Sequence, residues 1–336
     1  MTLSPIDLSC KLLCASEAAY CISTSAKSGR YNPCDMNSNV DACMLLQYDA
    51  VKFIGDPFVI TASPVKIDPY LKIEACLVGE VAEGIVLSFR GTLPPAATVD
   101  SIADWIEDIF YADTVSYLPN NNPPTIGKVH QGFLDALLTL ESSIKDALDK
   151  LNPNNTKSLF ITGHSKGGGM APIAAMYLLK KYNIKATQVV TFAGPKPGDV
   201  EFCADYDKTF TNDVKYENFL DIVPFLPPSK EFIQKLDSFP KLPKILHDLF
   251  AKAEKWNYGT VGKLNYIDSK GNVDNLPIWD NEIIRLIEIF DQIIFKKDHI
   301  IPIGEAHHAS CGYRYMQGTC KGNVCVTAAC SYPKKS

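Results

Sequence analysis

The sequence predicts an α/β fold with a mostly parallel central sheet that helices cover on both faces. Short apolar runs of strand length recur along the chain, and segments with helical spacing alternate with them. In addition, 46% of the 336 residues are hydrophobic, which allows a large core. Because no linker or repeat divides the chain, we expect a single domain over residues 1–336.

The elements of this fold follow from hydrophobic periodicity. The predicted strands are Val51–Ile60, which Pro57 interrupts, Ile73–Glu80, Ile85–Phe89, Ser158–Thr162, Ala186–Phe192 and Tyr216–Leu220. The predicted helices are residues 6–21, Val99–Ile109 and Gly132–Leu151. Beyond Pro224 we expect helical additions at about 229–296, namely residues 229–256, which Pro240 and Pro243 split, and Asp280–Phe295, with a strand or hairpin at Tyr258–Ile267 between them.

Composition excludes some classes of protein. The net charge is −5 and the isoelectric point is about 5.7, whereas a nucleic-acid partner normally requires a basic face. No stretch of 18 apolar residues occurs, so we expect no transmembrane segment. Met1–Leu8 lacks the charged start and apolar core of a secretory signal.

The eleven cysteines concentrate near the two chain ends. The first group is Cys10, Cys14, Cys21, Cys34 and Cys43, and the last is Cys311, Cys320, Cys325 and Cys330. Such groups predict Cys-rich terminal segments pinned by disulfides, and therefore an extracellular protein. The alternative is a cytoplasmic enzyme with reduced thiols.

A nucleophile motif lies between a predicted strand and a predicted helix. Gly163-His164-Ser165-Lys166-Gly167 follows Ser158–Thr162 directly and has the form Gly-x-Ser-x-Gly. This context is typical of the sharp turn that presents a serine in an α/β-hydrolase fold. A phosphate-binding loop is disfavoured, because Lys166 precedes glycine rather than serine or threonine. We therefore predict Ser165 as the nucleophile of an ester-cleaving site.

The remaining site residues follow from the chemistry that a serine requires. An oxyanion needs two donors, for which we predict the amides of Lys166 and Thr92, the latter after the strand Ile85–Phe89. The acid should follow a strand downstream of Ser165, as Asp221 does. Its rivals, Asp199 and Asp213, lie in more loop-like stretches.

The base must be a histidine that follows Asp221 in the chain. His130 and His164 come too early, and His247 lies on an apolar helix. We prefer His308 to its neighbour His307, and His299 is a third candidate. No metal or organic cofactor is implied.

At this point the sequence resembles the class 3 (fungal-type) lipase family over residues 85–228. The segments that carry the resemblance are Phe89-Arg90-Gly91-Thr92, Val129–Phe133, Thr162-Gly163-His164-Ser165, and Thr191–Pro195 with Asp221-Ile222-Val223-Pro224 behind it. The resemblance implies a triad of Ser165, Asp221 and a late histidine, with Thr92 in the oxyanion hole. The spacing from His308 to Tyr313 is similar to that in some members, and Ser101–Trp105 resembles the family's short lid. Lys166 departs from the apolar residue expected there.

Three functions remain open. The first is a triacylglycerol lipase that works through an acyl-enzyme on lipid at an interface. The second is an esterase for soluble esters, such as acetyl or feruloyl groups on polysaccharide. The third is a non-catalytic binding protein that retains the fold. The chain alone does not indicate an oligomeric state.

Overall fold

A computed structural model of the chain describes residues 5–22, 28–30, 50–62, 74–92, 113–230, 257–268, 272–274, 306–307 and 313. The helices in these ranges are α1 (Pro5–Ala18), α2 (Gln131–Leu151), α3 (Lys166–Tyr182) and α4 (Val200–Thr209). The strands are β1 (Gly29–Arg30), β2 (Phe58–Ala62), β3 (Glu74–Val81), β4 (Gly84–Phe89), β5 (Thr114–Val115), β6 (Val129–His130), β7 (Leu159–His164), β8 (Gln188–Phe192), β9 (Gly198–Asp199), β10 (Val214–Asn218), β11 (Tyr258–Gly259), β12 (Lys263–Ile267) and β13 (Val273–Asp274).

The main sheet has the order β1-β2-β3-β4-β7-β8-β10-β12-β13. Its central strands β4, β7, β8, β10 and β12 are parallel, and the strands at both ends pair antiparallel. The register sets Phe89 opposite Gly163 and Gly163 opposite Thr191. Because parallel strands end at the same edge, the loops after β4, β7 and β10 meet there, as a binding site in such folds requires.

Helices cover both faces of this sheet, as the sequence predicts. Alternate residues of a strand point to opposite faces. Leu87 and Ile161 belong to the core that includes the apolar faces of α2 and α3. Val86 and Phe160 instead pack in a second core with Leu12 of α1. All residues of β4 and β7 are buried, and each large apolar side chain buried in this way stabilises the fold by roughly 1.5–3 kcal/mol.

A second, antiparallel sheet has the order β11-β9-β6-β5. It joins distant parts of the chain, because β9 pairs with both β6 and β11. Two side chains at the ends of its central strands, β6 and β9, begin helices. His130 accepts a bond from the amide of Phe133 at 3.3 Å, and Asp199 accepts one from the amide of Phe202 at 2.8 Å. Each thereby satisfies a free donor at a helix start.

The structure departs from the sequence predictions in three places. The predicted strand Val51–Ile60 is wrong in its first half, since residues 50–51 are helical and β2 begins after Pro57. The helix α4 was not predicted, because its apolar residues are interrupted by charged ones. The strand or hairpin predicted at Tyr258–Ile267 is confirmed as β11 and β12, but β12 pairs with β10 inside the main sheet rather than in a separate addition.

Several predictions lie outside the described residues. These are the helices at Val99–Ile109, 231–256 and Asp280–Phe295, and most of the Cys-rich termini. Cys10 is disulfide-bonded, whereas the buried Cys14, Cys76 and Cys203 are free thiols. Cys14 therefore departs from the predicted terminal disulfides. None of the described helices is apolar enough over sufficient length to cross a membrane.

Candidate active site

Ser165 lies on a strained turn between β7 and α3. Its backbone has φ 57° and ψ −130°, a left-handed conformation that costs a non-glycine residue about 1–3 kcal/mol. The turn is fixed on both sides. The amide of Ser165 donates to the carbonyl of Phe192 at 3.0 Å, and its own carbonyl accepts from the amide of Gly168 at 2.7 Å. Strain of this kind is typical of a functional position.

The two outer glycines of the motif are required by close backbone contacts. A Cβ at Gly163 would lie 2.3 Å from the carbonyl carbon of Gly167. A Cβ at Gly167 would lie 2.3 Å from the carbonyl oxygen of Phe89, at the end of β4. No side chain fits at either position. The motif therefore brings the serine turn directly against the strand that leads to Thr92.

Asp221 is fully buried just after the end of β10 and accepts hydrogen bonds from several groups. The amide of Val223 donates to Oδ1 at 3.0 Å. The hydroxyl of Tyr313 donates to Oδ2 at 2.8 Å. Burial and the carboxylate of Asp221 raise the pKa of Tyr313 well above its ordinary value, so that this hydroxyl keeps its proton. The carboxylate is thus held in one orientation by donors from two parts of the chain.

The histidine on this carboxylate is His307. Its Nδ1 lies 2.9 Å from Oδ1 and 3.0 Å from Oδ2 of Asp221. Since a carboxylate only accepts, Nδ1 carries the proton and Nε2 is the nitrogen left to act as a base. The imidazole ring of His307 lies 4.9 Å, between ring centroids, from that of His164, the residue before Ser165. His308, which we preferred from the sequence, lies outside the described residues.

Ser165 itself is buried, with only 1% of its surface exposed. Within the described part of the chain, its Oγ has no hydrogen-bond partner. Catalytic hydrogen bonds are often incomplete without substrate and form in the complex with it. The hydroxyl therefore lies in a water-poor environment.

Both predicted oxyanion donors lie at the same edge of the sheet. Lys166 begins α3 directly after Ser165, and Thr92 lies just beyond β4, where β4 pairs with β7. The side chain of Lys166 does not place an unpaired charge in the site, because its Nζ forms an ion pair with Oε1 of Glu74 at 2.5 Å. Glu74 adjoins Ala75, whose carbonyl accepts from the amide of Arg90. The unexpected charge at position 166 is therefore neutralised by the neighbouring strand.

The rival acids have structural roles instead. Asp199 caps α4, and its second oxygen accepts from the amide of Lys128 at 3.0 Å. Asp213 is buried and accepts from the hydroxyl of Tyr206 at 2.5 Å and from the amide of Val189 at 2.7 Å. No described histidine is bonded to either of them. His130, which precedes Ser165, serves as the cap of α2.

The other sequence candidates cannot be placed. His247, His299 and the lid-like segment Ser101–Trp105 lie outside the described residues. Within the described ranges, no three His, Cys, Asp or Glu side chains come together as a metal ion would require. The sequence missed Tyr313 as a partner of Asp221. A signal existed, because Tyr313 closely follows the late histidines in the chain.

Comparison with known proteins matches the same region. A sequence model of the class 3 lipase family matches residues 86–231. The chain is 30% identical to a lipase of Rhizomucor miehei over 156 residues, which cover 45% of this chain and 39% of that protein. It is 24% identical to a lipase of Caenorhabditis elegans over 220 residues, 64% of this chain and 54% of that protein. The aligned parts thus span between 39% and 54% of these relatives' lengths.

Solved structures with the same fold are also lipases. The mono- and diacylglycerol lipase of Aspergillus oryzae superposes with a TM-score of 0.54 at 18% identity, over 79% of this chain and 81% of that chain. Lipase II of Rhizopus niveus gives 0.52 at 21% identity, over 80% and 82% of the two chains. At such identities the likeness shows the α/β-hydrolase fold alone. Together with the family match over residues 86–231, it shows that this chain is similar to the class 3 lipases in sequence over that region and in fold.

Proposed function

We propose that this chain is a serine hydrolase that cleaves the carboxylic esters of acylglycerols, triacylglycerols first, through an acyl-enzyme. The observation that carries the proposal is the His307 imidazole on the buried carboxylate of Asp221, beside the turn that bears Ser165. Two relatives support the substrate class, namely the lipase of Rhizomucor miehei and the secreted mono- and diacylglycerol lipase 1 of Fusarium solani, to which the chain is 30% identical over 146 residues.

In this proposal the base is His307 rather than His308. The reason is the pair of contacts between Nδ1 of His307 and the Asp221 carboxylate, at 2.9 and 3.0 Å. Because consecutive residues of a helical turn are rotated by about 100°, the sequence alone does not tell which of two adjacent histidines faces the acid. The matched variants His307→Ala and His308→Ala separate the two. We expect the first to lose kcat by a factor on the order of 10⁶ and the second to keep it within about tenfold.

The acylation step transfers one proton through His307 and releases one alcohol. Oγ of Ser165 attacks the ester carbonyl carbon while Nε2 of His307 takes the hydroxyl proton, and the carbonyl electrons move onto oxygen. Asp221 holds Nδ1–H and stabilises the imidazolium that forms. The tetrahedral intermediate then expels the alcohol, which takes the proton from Nε2. The acyl group remains bound to Ser165.

Deacylation repeats these steps with water. Nε2 of His307 removes a proton from water as the water oxygen attacks the acyl carbon, and collapse releases the carboxylic acid and returns the proton to Oγ of Ser165. In both steps the amides of Thr92 and Lys166 stabilise the oxyanion. These donors are worth more in a water-poor site than in water, and the low exposure of Ser165 supports that condition.

The decisive test is the loss of the nucleophile. Ser165→Ala should lower kcat by a factor on the order of 10⁶, because removing the serine of a triad alone costs about as much as removing all three members. A fluorophosphonate probe should label the native chain at Ser165 and leave the variant unlabelled. Unchanged thermal unfolding in the variant is the control for its fold. An unlabelled native chain would instead support the non-catalytic alternative.

The substrate class needs a separate measurement. We propose a panel of emulsified triacylglycerol, phospholipid vesicles, a soluble short-chain nitrophenyl ester and a feruloyl ester, each run beside Ser165→Ala. Faster hydrolysis of the emulsified triacylglycerol than of the soluble ester is expected of a lipase. Activity confined to the soluble or feruloyl esters would contradict the lipase proposal and support the esterase alternative.

We also propose that the protein works outside the cell. Disulfides persist mainly in oxidising compartments, and Cys10 is disulfide-bonded. The relative in Fusarium solani is named a secreted enzyme. Mass spectrometry of the alkylated protein, without reduction, should find Cys14, Cys76 and Cys203 modified and Cys10 unmodified. Alkylation of Cys10 in protein from the native source would contradict an oxidising location.

A further inference from the structure

A chain of hydrogen bonds connects the N-terminal segment with the main chain of His307. The hydroxyl of Tyr20 lies 2.8 Å from Nδ1 of His164. Nε2 of His164 lies 2.7 Å from the main-chain carbonyl oxygen of His307. His164 is the middle residue between Gly163 and the nucleophile, and 3% of it is exposed. This series of hydrogen bonds therefore passes directly beside Ser165.

The chemistry of the partners fixes the direction of each bond. A carbonyl oxygen only accepts, so Nε2 of His164 must donate to His307. In a neutral imidazole the other nitrogen is then an acceptor, so the hydroxyl of Tyr20 donates to Nδ1. Burial raises the pKa of Tyr20, which keeps this donor protonated. Each group in this series of hydrogen bonds thus has the partner that its neutral form requires.

Tyr20 also contacts the strand that leads to the oxyanion donor. A Cβ at Gly91 would lie 2.0 Å from the hydroxyl oxygen of Tyr20 and 2.7 Å from the carbonyl oxygen of His164. Only glycine at this position lets the hydroxyl approach His164. Tyr20 therefore lies between the strand before Thr92 and the turn that carries Ser165.

We propose that His164 and Tyr20 are positioning residues that fix the catalytic histidine from its main-chain side, an inference that rests on the proposed function. Asp221 holds Nδ1 of His307 and sets the tilt of its ring. The bond from His164 to the His307 carbonyl holds the main chain of that residue as a second fixed point. With both points held, Nε2 of His307 is directed towards Ser165.

The first test compares His164→Leu with His164→Gln. Leucine removes the donor to His307, whereas the amide nitrogen of glutamine can replace Nε2 but cannot reproduce the bond to Tyr20. Because a misplacement of about 1 Å at the reacting atoms costs roughly 10²-fold, we expect His164→Leu to lower kcat between about tenfold and hundredfold with KM nearly unchanged. His164→Gln should recover part of that loss. Wild-type kcat in His164→Leu would overturn the proposal.

The second test guards against loss of folding. Tyr20→Phe removes only one hydroxyl, and we expect kcat to fall about three- to tenfold with KM unchanged, as for one lost hydrogen bond. His130→Leu is the control, because it also removes a buried histidine that bonds to the main chain. It should lower the unfolding temperature and leave kcat within about twofold. Equal losses of kcat in Tyr20→Phe and His130→Leu would overturn the positioning role.

These outcomes are distinguishable from failure of the proposed function. Full activity in Ser165→Ala would remove the serine mechanism and this inference with it. An inactive Ser165→Ala together with wild-type kcat in both His164→Leu and Tyr20→Phe would remove only the inference. An inactive Ser165→Ala with a kcat loss in His164→Leu that glutamine partly restores would support both.

Discussion

Two buried carboxylates, Asp221 and Asp213, have nearly the same surroundings and different roles. Each accepts a hydrogen bond from a buried tyrosine hydroxyl and another from a backbone amide. The difference is the third partner, because Asp221 also binds Nδ1 of His307. Burial and a tyrosine partner therefore serve to hold a carboxylate in place. Only the histidine makes one of these two carboxylates a candidate for catalysis.

The pKa of Asp213 shows why an unusual titration does not by itself locate an active site. Burial raises it from 3.8 to about 6, although the bonds from Tyr206 and Val189 act in the opposite direction. Asp213 directly precedes β10, at the opposite end of that strand from Asp221, and it bonds to Val189 of β8 and Tyr206 of α4. It is a structural carboxyl whose protonation is linked to stability.

The largest contrast is expected from removal of one charge at each site. Asp221→Asn should lower kcat by about 10⁴-fold, because an amide neither holds His307 in the required tautomer nor stabilises the imidazolium. Asp213→Asn should keep kcat within about twofold. Steady-state kinetics on one soluble ester measure both. Comparable losses in the two variants would remove the distinction between the carboxylates.

The next contrast is the dependence of stability on pH. The folded state keeps a proton on Asp213 up to about pH 6, whereas the unfolded chain releases it near 3.8. Between these values the folded state binds more protons, so its stability falls as the pH rises, by up to about 3 kcal/mol from this group. Urea unfolding from pH 4 to 6.5 should show this contribution in the native chain and not in Asp213→Asn. A difference between the two chains that stays constant over this range would contradict it.

Removal of each tyrosine hydroxyl should separate activity from stability. Tyr313→Phe takes one donor from Asp221, and we expect kcat to fall by about ten- to hundredfold. Tyr206→Phe leaves a buried oxygen of Asp213 without that donor and should cost about 1–3 kcal/mol of unfolding free energy, with kcat unchanged. Kinetics and denaturant unfolding of both variants check the pair. A loss of kcat in Tyr206→Phe would show that the two networks are coupled.

The smallest effect is expected at the third acid considered from the sequence. Asp199→Ala removes the cap of α4 and should destabilise the fold by about 1 kcal/mol, with no change in kcat. Thermal unfolding and kinetics on the same preparations are sufficient. Loss of activity with unchanged stability would reopen Asp199 as a catalytic acid.

The parts of the site that depend on local sequence could be predicted. The turn at Ser165 is specified by neighbouring glycines, and Asp221 follows the end of a strand. The contacts that depend on distant residues could not. Lys166 bonds to Glu74, which is 92 positions away in the sequence, and Tyr20 bonds to His164, which is 144 positions away. The choice between His307 and His308 likewise depends on the phase of one turn, which two adjacent identical residues do not reveal.

The contact between Gly167 and the carbonyl of Phe89 has a consequence for redesign of this protein. The turn that carries Ser165 and the end of β4 form one closely packed unit, in which position 167 has no room for even a methyl group. Libraries that aim to change the specificity of this site gain nothing from randomising Gly163 or Gly167, since nearly every member would lose the turn. Variation should be directed to side chains that surround this unit, and the unit itself should be transferred intact.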